Sequence, residues 1–488
     1  MTSNTDNHFD VLIIGAGISG IGMAYHLKSE CPGKSFAILE RRQAIGGTWD
    51  LFRYPGIRSD SDMMSFGYDF RPWTDTRILA DGPSIRTYVN ETARDFGLDQ
   101  HVRFGIKTTG ADWSSAERRW TVTAVHEESG EERVYTCNFL VSATGYYNHD
   151  QGYLPKFPGV EDYKGLCIHP QHWPEDLNYK GKRVVVIGSG ATAVTLIPAM
   201  ADDTAEITML QRSPSYVYTL PAIDKMTGAL KRVLPESWIY RFARRRNILV
   251  QRSIYKLSRR FPQTMRKMLL RSVRKQVGPE FDMQHFTPKY MPWDERLCAV
   301  PNGDLFKVLR EGKASVVTDH IERFTEKGIL LKSGRELEAD IIITATGLEL
   351  QMLGGTELTI DHQPSPIGNR LTYKGVLAQD LPNFAWLFGY TNISWTLKID
   401  MAADYVCREL NEMDKRGVDV VTPRAPDGEM LDENIVASLQ AGYVKRGEAV
   451  MPRQGRSGNW QVVHHLEKDR KMFGKPVDDT ALEWSRAA

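Results

Sequence analysis

Two short glycine patterns carry the first chemical signal. Gly15-x-Gly17-x-x-Gly20 follows the apolar run Phe9–Ile14, and Gly188-x-Gly190-x-x-Ala193 follows Arg183–Ile187. Such a turn sets the backbone N–H groups of a helix N-terminus against a pyrophosphate, and glycine is needed where a Cβ would obstruct the turn or the phosphate. The residue ending the next apolar run reports on the ribose. After the first copy it is Glu40, a carboxylate able to accept hydrogen bonds from free ribose hydroxyls, as in FAD or NAD. After the second, Glu206–Leu210 leads to Gln211-Arg212-Ser213, and the guanidinium of Arg212 suits a ribose 2′-phosphate. The expected cofactors are therefore FAD, near Gly15, Gly17, Gly20 and Glu40, and NADPH, near Gly188, Gly190, Ala191, Thr192, Ala193, Arg212 and Ser213. One site for each makes a flavoprotein that accepts hydride.

Parallel strands must position both turns. Two further strand-like runs, Phe139–Ala143 and Ile341–Ala345, end alike at Thr144-Gly145 and Thr346-Gly347, and read as crossings into and out of the second unit, with Gly145 close to a cofactor. The expected fold class is α/β: two Rossmann-like dinucleotide-binding domains, for FAD and NADPH, the second inserted in the first and carrying a basic helical insertion. The boundaries are residues 1–145 for the first part of the FAD domain, 146–181 for a linker, and 182–345 for the NADPH domain with its helical insertion at about 224–290. Residues 346–488 then hold the second part of the FAD domain and the C-terminal region. Alternation at Val102, Phe104, Trp120 and Val122 predicts antiparallel strands of a meander.

Composition excludes several classes. A chain of 488 residues with 41% hydrophobic and 25% charged residues has the make-up of an ordinary globular protein. Its formal charge of +1 gives no reason to expect a nucleic-acid partner. Five scattered cysteines without a C-x-x-C argue against a disulfide framework or a zinc site, so no metal is expected. No apolar run approaches the ~20 residues needed to span a bilayer, and no Lys or Arg precedes Lys28, unlike a signal peptide. A cytoplasmic location is expected.

Three segments carry a family resemblance. Gly46-Gly47-Thr48-Trp49 through Tyr54-Pro55-Gly56 to Asp60 resembles a fingerprint of type I Baeyer-Villiger monooxygenases. Tyr163-x-Gly165-x-x-x-His169-x-x-x-Trp173-Pro174 resembles another, with Tyr163 where phenylalanine is usual. Both glycine turns flank them in the family's order, and stretches such as Arg53–Asp62 and His169–Asp176 resemble the ethionamide-activating FAD-containing monooxygenases of mycobacteria. The resemblance implies that Gly47, Thr48, Trp49 and Asp60 lie at the flavin, that Asp60 is the active-site aspartate and that Arg296 is the catalytic arginine. It implies an enzyme using NADPH and O2 to turn ketones into esters or lactones, or to oxygenate sulfides and thioamides at sulfur. A permanently charged guanidinium beside the reacting oxygen favours its anionic form and then stabilises the oxyanion of the adduct, while Asp60 orients that guanidinium. His169 is expected to couple NADPH binding to domain position, and Trp173 to pack beside the cofactors. Asn392, before an expected helix at Ser394–Val406, is a candidate flavin contact. Glu295 departs from the family, where a lysine often precedes the arginine, and an acid there would narrow the preference for NADPH over NADH. Two other readings stay open: a flavin monooxygenase restricted to sulfur or nitrogen, and a nucleotide-binding redox sensor without turnover.

Residues 231–275 stand apart, with 15 Lys or Arg and one acid, Glu236, for a local net charge of +14. Ile239, Phe242, Leu249, Val250, Ile254 and Leu257 recur at helical spacing, and Pro262 separates this helix from the next. One reading is a solvated helical pair over the NADPH side. The other is peripheral attachment to anionic lipid, with Arg244, Arg245 and Arg246 among the charges.

Overall fold

Burial on both faces marks the first strand: Val11, Leu12, Ile13 and Ile14 are all inside, as in a parallel sheet covered on each side. The computed structural model describes residues 7–295, 297–437, 442–477 and 480–486; Arg296 lies outside the described residues. Strand β1 (His8–Ile14) runs through helix α1 (Ile18–Glu30) into β2 (Phe36–Glu40), parallel to it with Ile14 opposite Leu39. The chain then forms the one-turn helix α2 (Met63–Phe66), β3 (Val102–Phe104), β4 (Ile106–Ser114), β5 (Arg119–His126) and β6 (Glu132–Ser142). Strands β4, β5 and β6 are the expected antiparallel meander, and β6 returns parallel to β1. Val102 and Phe104 are not part of it. They form β3, which extends the sheet parallel to β2, because Gly105 at φ +71° turns the chain before β4 begins. Alternation reports a half-buried strand but says nothing of its neighbour's direction.

From β6 the chain passes to a second sheet. Its elements are β7 (Leu166–Ile168), β8 (Arg183–Ile187), helix α3 (Ala191–Met200), β9 (Glu206–Gln211), helices α4 (Glu236–Arg260) and α5 (Pro262–Val277), β10 (Ser315–Thr318) and β11 (Ile341–Thr344). The five strands are parallel, in the order β10-β9-β8-β11-β7. Residues 166–168, expected in a linker, thus form an edge strand of this sheet. The chain then rejoins the first sheet, where β12 (Glu357–Ile360) pairs with β4 and β13 (Phe384–Trp386) with β6. Helix α6 (Thr396–Arg416) closes the core, its Ala402, Ala403 and Val406 buried together with Ala24 and Leu27 of α1. No described helix is long and apolar enough to cross a membrane.

Pro262 does separate two helices, and it occupies the first position of α5, where its missing N–H costs nothing. The apolar positions that recur at helical spacing on α4 mostly face outward. Of these six only Ile239 is buried, whereas Phe242, Leu249, Val250, Ile254 and Leu257 are exposed. The inner face is instead Tyr240, Ala243, Arg244 and Ile248, and it packs on α2 of the flavin side. Helical spacing selects a face without saying whether that face meets protein.

Candidate active site

The first glycine turn opens into a cleft of about 1190 Å³, including space open to solvent. Gly15, Gly17, Glu40, Gly47, Thr48, Trp49 and Gly145 all line it, and Gly20 sits one turn into α1. Gly15 adopts φ +100°, and a Cβ there would stand 2.9 Å from the Ala143 carbonyl oxygen of β6's far end. Gly188 repeats the arrangement in the second sheet at φ +145°, where a Cβ would collide with the Ala345 carbonyl oxygen. Each turn therefore nests on the crossing that follows its own sheet. Gly17 and Gly190 begin α1 and α3 without any side-chain cap, which leaves the first N–H groups of each helix for an anion.

Glu40 is buried at the end of β2, where Oε2 accepts from the Ala16 N–H at 2.7 Å and Oε1 from the Arg42 N–H at 2.9 Å. Burial pushes its carboxyl up, against the pull of those two N–H groups. The glycine cradle, uncapped helix start and carboxylate at the cleft fit the pyrophosphate and ribose of FAD. Asn392 is not brought to the cleft: its Nδ2 donates to the His464 carbonyl at 3.0 Å. The wall there is Trp395, just before α6, whose indole N–H donates to Ser19 Oγ at 2.8 Å. Trp395, Phe66 and Tyr146 were not foreseen, since aromatic residues in unremarkable sequence carry no signal of lining a cleft.

The segment from Gly46 to Asp60 joins the two sheets. Its Leu51, Phe52, Tyr54 and Ile57 are buried in one core with Val194, Leu196 and Ile197 of α3. Gly56, at φ +75°, lies so close to α3 that a Cβ would stand 2.7 Å from Ala199 Cβ and 2.9 Å from the Thr195 carbonyl oxygen. Tyr54 hydrogen-bonds Thr192, and burial pushes its phenol up to about 12. Arg58 pairs with Asp304 at 2.7 Å. Asp60 follows at the end of this bridge, exposed, with Tyr218 near enough that burial first, and then the charges of Asp60 and Asp62, push that phenol up.

The remaining expected residues divide by surroundings. Ala193 is buried in α3, whereas Gly190 and Ala191 are exposed at its start. Arg212 and Ser213 are exposed beyond β9, and the Ser213 carbonyl accepts from Ser189 Oγ at 3.0 Å. Glu295 lies within electrostatic reach: burial pushes its carboxyl up, while Lys445 and Arg212 pull it down. Tyr163 is buried against Gly165, and its hydroxyl donates to the Ala339 carbonyl at 2.9 Å. His169 Nδ1 accepts from the Gln171 N–H at 3.2 Å, so the proton sits on Nε2, which donates to the Gly347 carbonyl at 3.1 Å. Burial pushes this imidazole down, keeping it neutral. Trp173 packs at the edge of the second sheet's core. Among the described residues no cluster of His, Cys, Asp or Glu could hold a metal ion.

A family model described as flavin-binding monooxygenase-like matches residues 9–353, which span both glycine turns and the bridge between them. The chain belongs to the flavin-binding monooxygenase-like family. This flavin-binding monooxygenase-like protein is 59% identical over 488 residues to the FAD-containing monooxygenase MymA of Mycobacterium tuberculosis, covering 99% of each chain. It is 50% identical over 482 residues to the FAD-containing monooxygenase EthA of Mycolicibacterium smegmatis, covering 98% of this chain and 97% of that one. Its fold matches that of a steroid monooxygenase bound to NADP with a TM-score of 0.79 at 23% identity, covering 98% and 100% of the two chains. Cyclohexanone monooxygenase matches with a TM-score of 0.77 at 20% identity over the same shares. As a member of the family, the flavin-binding monooxygenase-like protein is a flavin-dependent monooxygenase with two Rossmann-type units.

Proposed function

We propose that the protein is an NADPH- and O2-dependent Baeyer-Villiger monooxygenase that converts ketones to esters or lactones and oxygenates sulfides and thioamides at sulfur. Residues 1–145 and 346–488 would make up the FAD unit and 182–345 the NADPH unit, with 146–181 a link that lends β7 to the NADPH-side sheet. The observation that supports the reading is the bridge from Gly46 to Asp60, which leaves the flavin cleft and packs on α3 through Gly56 and Tyr54, with Asp60 at its end. The relatives named FAD-containing monooxygenases and the neighbour bound to NADP support the pair of cofactors.

Gly15, Gly17, Gly20, Glu40, Gly47, Thr48, Trp49, Asp60 and Gly145 would hold FAD; Gly188, Gly190, Ala191, Thr192, Ala193, Arg212 and Ser213 would hold NADPH. Bound FAD, reduced by NADPH, supplies the activation of O2. Arg296 stabilises negative charge on oxygen and Asp60 orients it. His169 ties the fingerprint segment to the second crossing at Gly347 and would couple NADPH binding to domain position. The test is turnover of an aliphatic methyl ketone under labelled O2. The expected product is an ester carrying one labelled oxygen atom. Label-free ketone recovered beside an oxygenated sulfide would restrict the enzyme to sulfur.

We also propose that this is a cytoplasmic enzyme whose residues 231–275 touch anionic membrane. Trp238 is 64% and Leu249 60% exposed, and with Phe242, Val250, Arg241 and Arg245 they border one groove on the outer face of α4. Arg246 also lines this groove, its guanidinium paired with Asp224, whereas Arg244 is buried on the other face. Basic side chains near a charged bilayer contribute about 1 kcal/mol each. Wild-type protein is expected to co-sediment with vesicles containing phosphatidylglycerol, and a variant with Trp238→Ser, Leu249→Ser and Arg245→Glu to remain in the supernatant. Equal sedimentation of the two would overturn the contact.

A further inference from the structure

Asp62 is a buried carboxylate that the chemistry above does not use. It caps α2: the Ser65 N–H donates to its Oδ1 at 3.2 Å, and the Ser65 hydroxyl also bonds the carboxylate. Two further donors arrive from the insertion of the other unit. Asn247 Nδ2 donates to Oδ1 at 2.8 Å, and Gln251 Nε2 donates to Oδ2. Four residues apart on α4, these amides share one face.

The same face holds the far end of α2. The buried guanidinium of Arg244 donates to the carbonyls of Met64 at 3.1 Å, Ser65 at 3.3 Å and Gly67 at 2.6 Å, and the Tyr240 hydroxyl reaches the Tyr68 carbonyl at 3.2 Å. A single helical turn has no cooperative stability of its own, and its end groups need outside partners. Helix α4 supplies them at both ends. Asp60 lies two residues before the cap and Phe66, at the end of the turn, lines the flavin cleft.

We propose that Asp62, gripped by Asn247 and Gln251, is a positioning residue for oxygen transfer, fixing Asp60 and the Phe66 wall of the cleft from a helix that belongs to the other unit. The inference rests on the role given to Asp60 above. Asp62→Asn keeps the oxygen that accepts from the Ser65 N–H and from Asn247 but turns an amide N–H2 toward the Gln251 amide. It is expected to lower the ester formed per NADPH consumed by up to about 100-fold, the cost of a 1 Å misplacement. The remaining NADPH would pass its two electrons to O2, released with two protons as hydrogen peroxide. Flavin content and the KM for NADPH should stay near wild type, which a general loss of structure would not allow. Combining Asp62→Asn with Gln251→Glu restores an acceptor opposite the new amide N–H2 and should recover most of the yield.

Unchanged ester yield in Asp62→Asn, or no recovery in the exchanged pair, overturns the proposal. If Asp62→Asn loses its flavin, Asn247→Leu with Gln251→Leu decides: a fall in yield with flavin retained supports the grip, and no fall overturns it. Asp60→Asn in the same assay separates the two claims. An unaltered yield there removes the role of Asp60 itself, whereas a fall there without one in Asp62→Asn removes only the positioning.

Discussion

Replacing Arg296 with alanine is expected to abolish ester formation while NADPH still reduces the flavin. Reduction needs the two cofactors brought together, which we assign to the glycine turns and to the bridge that Gly56 presses onto α3. Oxygen insertion needs a cation where negative charge develops, and removing one such donor typically costs about 10²–10³-fold in rate. No other part of the proposed chemistry asks so much of one side chain. Anaerobic mixing with NADPH, followed by aerobic turnover of a ketone, separates the two half-reactions. Bleaching of the flavin at near wild-type rate with ester yield down at least a hundredfold is the expected pair of results. Wild-type ester yield would end the assignment of Arg296.

The second large effect concerns Arg212. Arg212→Ala should raise the KM for NADPH far more than that for NADH, because only the former carries the 2′-phosphate. A hydrogen bond to a charged group contributes about 1.5–3 kcal/mol, a factor of roughly ten to a hundred. Steady-state NADPH and NADH titrations of one preparation measure it directly, and parallel changes would show that Arg212 does not read the phosphate. Glu295 bears on the size of the effect. A carboxylate within electrostatic reach of Arg212 partly neutralises the guanidinium and would repel a 2′-phosphate bound there.

Sequence made the paired units legible because their signal is local and chemical. A β-branched run followed by glycines dictates strand, turn and helix within a dozen residues, and β1, β8 and the carboxylate of Glu40 lie where that logic puts them. What sequence did not reveal depends on contacts between distant segments. The apolar positions on α4 have the spacing of a buried stripe, yet most are exposed, because the buried face is fixed by Arg244 and Tyr240 meeting carbonyls of residues 64–68. Asp62 looked like one more polar residue beside Asp60 until Asn247 and Gln251 arrived from nearly two hundred positions later. Asn392 faces the His464 carbonyl for a similar reason: a turn's position in the chain does not say which neighbour its side chain meets.

The order in which the strands leave the ribosome differs from the order in which the sheets close. The second sheet has all its strands once Thr344 is made, whereas the first waits for Phe384–Trp386 to pair with Leu140–Ser142 of β6. A chain ending near residue 350 and released from the ribosome would therefore carry every strand of the second sheet but a first sheet with an open strand edge. During synthesis, chaperone protection would be needed most for the half that is begun first.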